Sequence, residues 1–431
     1  MYHCYVTRLK NVRPHPNADR LTLADCFGNT VCVDNTFKEG DLGVYFPTDG
    51  QLNYDFCMQN NLLRQLDENG KNIGGYLDPK KRHVTTVKLR GEPSDGLFLP
   101  LKCLAPFGDI SLLKEGEQVE TFNGVVIATK YIPKHKAHSR PNLNIPKKTK
   151  KKINIAPLFQ EHKDTEQLAY YINNIKVGDI LDFSIKMHGT SQRTGYLPVL
   201  KGYKRSFLDR IFHREGSPIY KKDYITGTRR TIVNNNNEGF YGTQDFRIKT
   251  AEIFKNKLWF GETVYYEVVG YVHDDTPIMA SCDNKKIGQD FINRYGEKTV
   301  FNYGEPIGSC HAYVYRMTMT NEDGEVVEYT PEFMRYRCKQ MGVDCVPHLL
   351  TLVVTENNIG DIMELAEMFS VGADPIGKTH IREGVVVRVV NKPIFTAYKH
   401  KNLEFKILEG IIKDNAVTPD IEEAEEDFKI E

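Results

Sequence analysis

From Lys130 to Lys152 the chain carries nine Lys or Arg and no Asp or Glu, with Pro and Asn between them. A stretch this polar buries too little apolar surface to sit in a core, so it divides the chain. A division is expected in 431 residues, because single cores rarely grow beyond about 250–300 residues. The predicted organisation is a first domain at 1–128, a basic linker at 129–160, a second domain at 161–415 and an acidic tail at 416–431. From Asp420 to Glu431 seven acids face one Lys. Formal net charge is zero, yet charge this unevenly spread is compatible with a cationic surface suited to phosphate backbones. Lys147 and Lys148 in the linker are candidate nucleic-acid contacts, and a plain flexible tether is the competing reading.

Other features narrow the class. No run of about 18 apolar residues occurs, so no membrane span is expected. The start, MYHCYVTRLK, lacks the apolar core of a signal peptide. Nine cysteines contain no CxxC pair, which argues against a zinc ribbon or a disulfide framework. Reduced thiols and an intracellular setting, cytoplasm or nucleus, are the expectation.

The first domain reads as all-β. Short apolar runs at Leu21–Ala24, Val31–Val33, Leu42–Phe46 and Val84–Val87 are punctuated by Gly, Asn, Asp and Pro, as in a small barrel or sandwich. The second domain reads as α+β. Asp164 and Gln167 occupy capping-box positions before Leu168, Tyr171, Ile172 and Ile175, predicting a helix over about 165–175. Strands are predicted at 180–186, 263–272, 311–318, 349–354 and 384–390, mostly in antiparallel sheets, with helix within 331–370.

The strongest local signal is Lys186-Met187-His188-Gly189-Thr190, after the alternating strand Leu181–Ile185. A lysine before a turn is usually only solvated, so later segments must decide. Arg382-Glu383-Gly384-Val385-Val386-Val387 puts a glutamate at the mouth of an apolar strand, where a buried carboxylate needs a cation. Lys399 and Lys401 are two apart and share a strand face. Two such lysines repel unless an anion lies between them; the alternative is a lysine-protected edge strand. No Walker A motif is present, which excludes a P-loop ATPase.

In this order the segments resemble the covalent nucleotidyltransferase superfamily: RNA ligases, DNA ligases and mRNA capping enzymes. The resemblance spans about 165–410, and the KxHGT form is similar to that of nick-sealing RNA ligases. It implies a nucleotidyltransferase (adenylation) domain of antiparallel sheets with flanking helices. It also implies a catalytic Lys186 that becomes linked to AMP. Arg205 would contact the nucleotide or donor phosphate, and Glu267 the ribose, with Glu262 a rival alignment. Tyr313 or Tyr315 would stack on adenine, Tyr313 being preferred. Glu383 would hold a metal, and Lys399 and Lys401 the phosphates. His188 stands where many relatives carry Asp, which puts direct metal coordination there in doubt and leaves it a nucleotide or metal-bound water to contact. Arg229 and Arg230 are candidate RNA contacts.

The segments Asn11–Leu21, Gly40–Pro47 and Lys88–Leu97 resemble OB-type modules that bind nucleic acid. This pairing, OB module first, is similar to one subgroup of RNA ligases. Capping enzymes and most DNA ligases need an OB domain after the KxK strand, and only thirty residues follow Lys401. The implied activity is an ATP-dependent RNA ligase using Mg²⁺ or Mn²⁺, joining 3′-hydroxyl and 5′-phosphate RNA ends and acting as a monomer. A capping guanylyltransferase and a DNA/RNA nick ligase are alternatives within the superfamily. A non-catalytic RNA-binding protein is the alternative outside it; the presence of Lys186, Glu383 and the twin lysines argues against that.

Overall fold

The computed structural model describes residues 2–69, 72–131, 155–207, 216–233 and 245–415. The chain forms two compact units, Met1–Lys134 with Lys406–Asp414, and His135–Phe405 with Asn415–Glu431. Most of the predicted linker, including Lys147 and Lys148, and the acidic tail lie outside the described residues.

The first unit is built on two antiparallel three-stranded sheets. One joins Tyr5–Arg8, Leu42–Phe46 and Leu97–Pro100, and the other Lys10–Pro14, Leu21–Cys26 and Asn29–Asp34. Val6, Val44, Phe46, Leu52, Phe56 and Leu104 are buried together, each contributing about 1.5–3 kcal/mol by leaving water. His15 and Asn17 tie one turn to another. The His15 Nε2 lies 3.0 Å from the Leu89 carbonyl, and the Asn17 amide donates to the Arg90 carbonyl at 3.0 Å.

The second unit contains two larger sheets. The strands used below are β1 (Ile180–Lys186), β2 (Thr190–Lys204), β3 (Ser217–Gly227), β4 (Glu262–His273), β5 (Cys310–Thr320), β6 (Val326–Glu328), β7 (His348–Val353), β8 (Gly384–Val389) and β9 (Thr396–Lys401). The helices are α1 (Leu168–Tyr171), α2 (Asp245–Glu252), α3 (Pro331–Met341) and α4 (Ile362–Ser370). One sheet runs β9-β8-β1-β7, with Glu166–Gln167 pairing parallel to β9 at its edge. The other runs β3-β2-β4-β5-β6.

In the first of these sheets, alternation sorts the side chains. Leu181, Phe183, Val385, Val387, Val389 and Tyr398 are buried with Leu168, Ile362 and Ala366. On α4 the buried residues Ile362, Ala366 and Ser370 recur every fourth position, a stripe on one helix face. Asp182, Ser184 and Lys186 therefore take the opposite face of β1.

Helix α3 starts and stops where its residues dictate. The Thr330 side chain accepts from the Phe333 amide, Pro331 opens the first turn, and Gly342 closes it at φ 62°. The helix predicted at 165–175 is shorter, α1 followed by a 3₁₀ turn at Ile172–Asn174. Asp164 does not cap it; its carboxylate pairs with Arg229 at 3.3 Å and Arg230 at 3.4 Å. All nine cysteines are free thiols, and no described helix is long and apolar enough to cross a membrane.

Candidate active site

β1 ends at Lys186, which pairs across the ladder with Gly384 of β8, and Gly384 with Lys401 of β9. The next row toward the strand interior is Ser184, Val386 and Lys399. Three lysines thus face one side of one sheet. Their approach depends on Gly384, where a Cβ would lie 2.1 Å from the His400 carbonyl oxygen.

Glu383, just before β8, is 2% exposed. Its Oε1 lies 2.8 Å from Lys186 Nζ and 3.4 Å from Lys401 Nζ. One carboxylate therefore bridges two ammonium groups, and with Lys399 the cluster carries excess positive charge. Its Oε2 is buried without a hydrogen-bond partner, and His188 Nδ1 lies 3.8 Å from it. Glu383 does not itself line the cavity but touches Lys186 and Lys401, which do, and an orphaned carboxylate oxygen there suits a hard divalent cation. Among the described residues no group of three or more His, Cys, Asp or Glu is arranged to hold a metal. Glu383 would then supply one ligand, with phosphate and water oxygens the rest.

The other sheet forms the facing wall. Ser191 of β2 pairs with Glu267 of β4, and both line the cavity. The Gly189 amide donates to Glu267 Oε1 at 3.2 Å. A Cβ at Gly189 would meet the Val268 carbonyl at 2.5 Å and Glu267 Cγ at 2.9 Å, so the turn after Lys186 needs glycine. His188 is held by its backbone, whose N–H donates to Tyr303 Oη at 2.6 Å. Its ring lies edge-on to Phe301 and Phe405, at 4.6 and 4.9 Å.

The space between the walls is about 1030 Å³, counting the part that is open solvent. Lys186, Lys399, Lys401, Glu267, Tyr315 and Arg229 line it, and so do His162, Asp182, Arg335 and Arg388.

Several sequence-based assignments move. Tyr315, not Tyr313, lines the cavity. The β4–β5 register slips between Tyr265 and Tyr266, so Tyr315 has no direct partner, and such a bulge re-aims a side chain. Tyr313 packs beside His311, ring centroids 4.7 Å apart. Arg205 is exposed just past the end of β2. It is not among the residues lining the cavity. Arg229 is in the lining, whereas Arg230 is not; both are tied to Asp164. Glu262, the rival for Glu267, is fully buried against Arg337 (2.8 and 2.9 Å), Tyr329 and the Trp259 amide. Those partners use up its oxygens.

Sequence reasoning passed over His162 and Ser191. The Tyr315 hydroxyl lies 2.8 Å from Ser191 Oγ and 3.0 Å from His162 Nδ1. Ser191, five residues after Lys186 on the strand that leaves the turn, was within reach of strand alternation. His162 carries no local signal.

An OB-fold domain family matches residues 4–101. No curated protein matches the sequence. Solved structures of Naegleria gruberi RNA ligase do match. The form with PPi aligns at TM-score 0.53 and 17% identity, covering 93% of this chain and 96% of that one. A lysine-to-alanine variant with ATP and Mn aligns at 0.54 and 17%, covering 94% and 98%. An apo aspartate-to-alanine variant aligns at 0.55 and 17%, covering 94% and 97%. The chain therefore shares the fold of these structures, with a region that matches an OB-fold domain ahead of a second unit of mixed sheets and helices.

Proposed function

We propose that the cavity links Lys186 to AMP and that the chain is an ATP-dependent RNA ligase. The observation that carries this is the shared carboxylate: Glu383 bridges Lys186 and Lys401 within one ladder row. A carboxylate 2.8 Å from the amine favours its ammonium form. Drawing that carboxylate toward another cation leaves Lys186 facing two lysines, which favours the neutral, nucleophilic amine. A divalent metal at Glu383, Mg²⁺ or Mn²⁺, would supply that cation and neutralise phosphate charge.

The residues then take complementary roles. The neutral Lys186 Nζ attacks the α-phosphorus of ATP, the N–P bond forms, the P–O bond to pyrophosphate breaks, and the nitrogen gives up one proton to solvent and keeps one in the phosphoramidate. Lys399 and Lys401 bind the phosphates and balance charge on the leaving pyrophosphate. Glu267 accepts from the ribose hydroxyls, and Tyr315 stacks on the adenine. The AMP then passes to an RNA 5′-phosphate, and a 3′-hydroxyl displaces AMP as the phosphodiester forms. The Naegleria ligase has been solved with ATP and Mn, with AMP and Mn, and with PPi, which supports ATP and a divalent metal here.

The test is sealing of nicked duplexes with RNA or DNA on each side of the break, given ATP and Mg²⁺ or Mn²⁺. Sealing of 3′-hydroxyl RNA to 5′-phosphate ends, absent in Lys186→Ala, is expected. Sealing that survives in Lys186→Ala, or that needs no nucleotide, overturns the reading. Protein labelling by GTP alone would favour a capping enzyme instead.

A further inference from the structure

The stretch 155–162 lies across the second sheet as a strap. Its start is fixed where the Leu200 amide donates to the Ile155 carbonyl at 2.8 Å. Ala156 and Phe159 are buried against Leu197, Val199 and Ile225. Its centre is gripped by Arg193 of β2, which is 2% exposed. That guanidinium donates to the carbonyls of Phe159 (3.0 Å), Gln160 and Thr228 (2.9 Å) and lies 4.1 Å over the Phe159 ring. Tyr265 Oη also donates to the Gln160 carbonyl at 3.2 Å. Burial lowers the Arg193 pKa to about 10, so it is charged at neutral pH.

A buried cation spent on three main-chain carbonyls is an unusual use of arginine, since buried charge is ordinarily paired with a carboxylate. What it fixes is the approach of two backbone segments to one cavity. The strap delivers His162, and the turn after β3 delivers Arg229; the His162 amide donates to the Arg229 carbonyl at 3.1 Å. His162 then stands edge-on to Tyr315, centroids 5.7 Å apart at 83°, with Nδ1 at the tyrosine hydroxyl. Ser191 takes the other side of that hydroxyl, so the ring is fixed from two directions.

We propose that His162, held by the Arg193-anchored strap, is a positioning residue that sets Tyr315 against the nucleobase and so confers base-dependent affinity. This rests on the nucleotide reading above. It also means that the segment before the nucleotidyltransferase sheets is part of its pocket. An ordered aromatic platform costs less entropy on binding than a free one, and the gain should fall on the base alone.

Direct binding of ATP and of a ribose 5′-triphosphate lacking the base, measured by calorimetry, tests this in the full chain with wild type, His162→Ala and His162→Asn. His162 is only partly buried and belongs to no core cluster among the described residues, so it can be replaced without emptying a core. His162→Ala should weaken ATP by about tenfold and the base-less triphosphate by less than about twofold, a non-additive pair. Asn, whose amide oxygen can stand near the Nδ1 position, should recover part of the loss. Arg193→Lys should show the same base-dependent loss. Equal loss for both ligands, or none for ATP, overturns the proposal. A wild type that binds ATP with this dependence but never forms lysyl-AMP overturns the catalytic reading and leaves the strap standing. A wild type that binds no ATP overturns both.

Discussion

The two walls of the cleft are built on different principles. The β1-β8-β9 wall carries Lys186, Lys399 and Lys401 on regular antiparallel ladders, so strand parity decides which lysines meet, and Glu383 joins them from the residue just before β8. The β2-β4-β5 wall depends on a slipped register at Tyr265–Tyr266 and on a strap from outside the sheet. The first wall provides charge at fixed spacing; the second provides a shaped surface for the rest of the ligand. Chemistry should therefore collapse when the first is altered, and affinity when the second is.

Beyond Lys186 itself, the largest expected effect is at Glu383. Glu383→Ala removes the carboxylate shared by two lysines, and single-turnover lysyl-AMP formation should fall about 10³-fold. Lys401→Met should cost about 10²-fold in the same assay, mainly in the rate rather than in ATP affinity. A loss confined to affinity at either position would erase the distinction between the walls.

On the second wall, Tyr315→Ala should weaken ATP binding by about tenfold, the worth of one aromatic stack, while Tyr313→Ala should change it by less than about twofold. The reverse order would restore Tyr313 to the cavity. The two glutamates of β4 should separate in a different way. Glu262→Ala leaves the Arg337 charge buried and should cost about 3–5 kcal/mol of stability, read as a lower melting temperature. Glu267→Ala should melt near wild type and bind ATP weakly.

The smallest effects concern the layer near His188. Burial raises Asp374 to about 6 and lowers His380 to about 4. The folded-state pKa of Asp374 lies above its unfolded value, so its contribution is present below about pH 4 and fades as pH rises to 6. That of His380 lies below its unfolded value, so its contribution is present above about pH 6.5 and fades as pH falls to 4. The two slopes oppose one another over the same window. Melting curves at pH 4.5 and 6.5 should show Asp374→Asn losing more stability on acidification than wild type, and His380→Gln losing less. Parallel profiles for all three proteins would contradict this.

Legibility in the sequence follows the same division. Leu181–Lys186, Gly384–Val387 and Lys399–Lys401 could be placed because period-two alternation assigns faces without knowledge of partners, whereas Glu383, one residue before its strand, was legible from the need of a buried carboxylate for a cation. Tyr315 could not be preferred over Tyr313, since a bulge on β5 is invisible until β4 is laid beside it. Arg205 falls outside the lining because spacing from the nucleophile does not say where a 15-residue strand with a register shift at Leu200–Gly202 ends. The predicted linker boundary at 160 cut through the strap. Phe159 and His162 are retained by Arg193 and Tyr315, more than 30 and more than 150 residues away, and no local pattern encodes such contacts. Asp164 looked like a helix cap because its short carboxylate suits that role, but two arginines outcompeted the backbone for it.

The most direct test of the central claim is to incubate the full chain with ATP and Mg²⁺ or Mn²⁺, digest it, and locate the adenylate by mass spectrometry. The account predicts one AMP on the peptide containing Lys186, lost in Lys186→Ala and strongly reduced in Glu383→Ala. An adenylate on another lysine, or its persistence without Lys186, would contradict it.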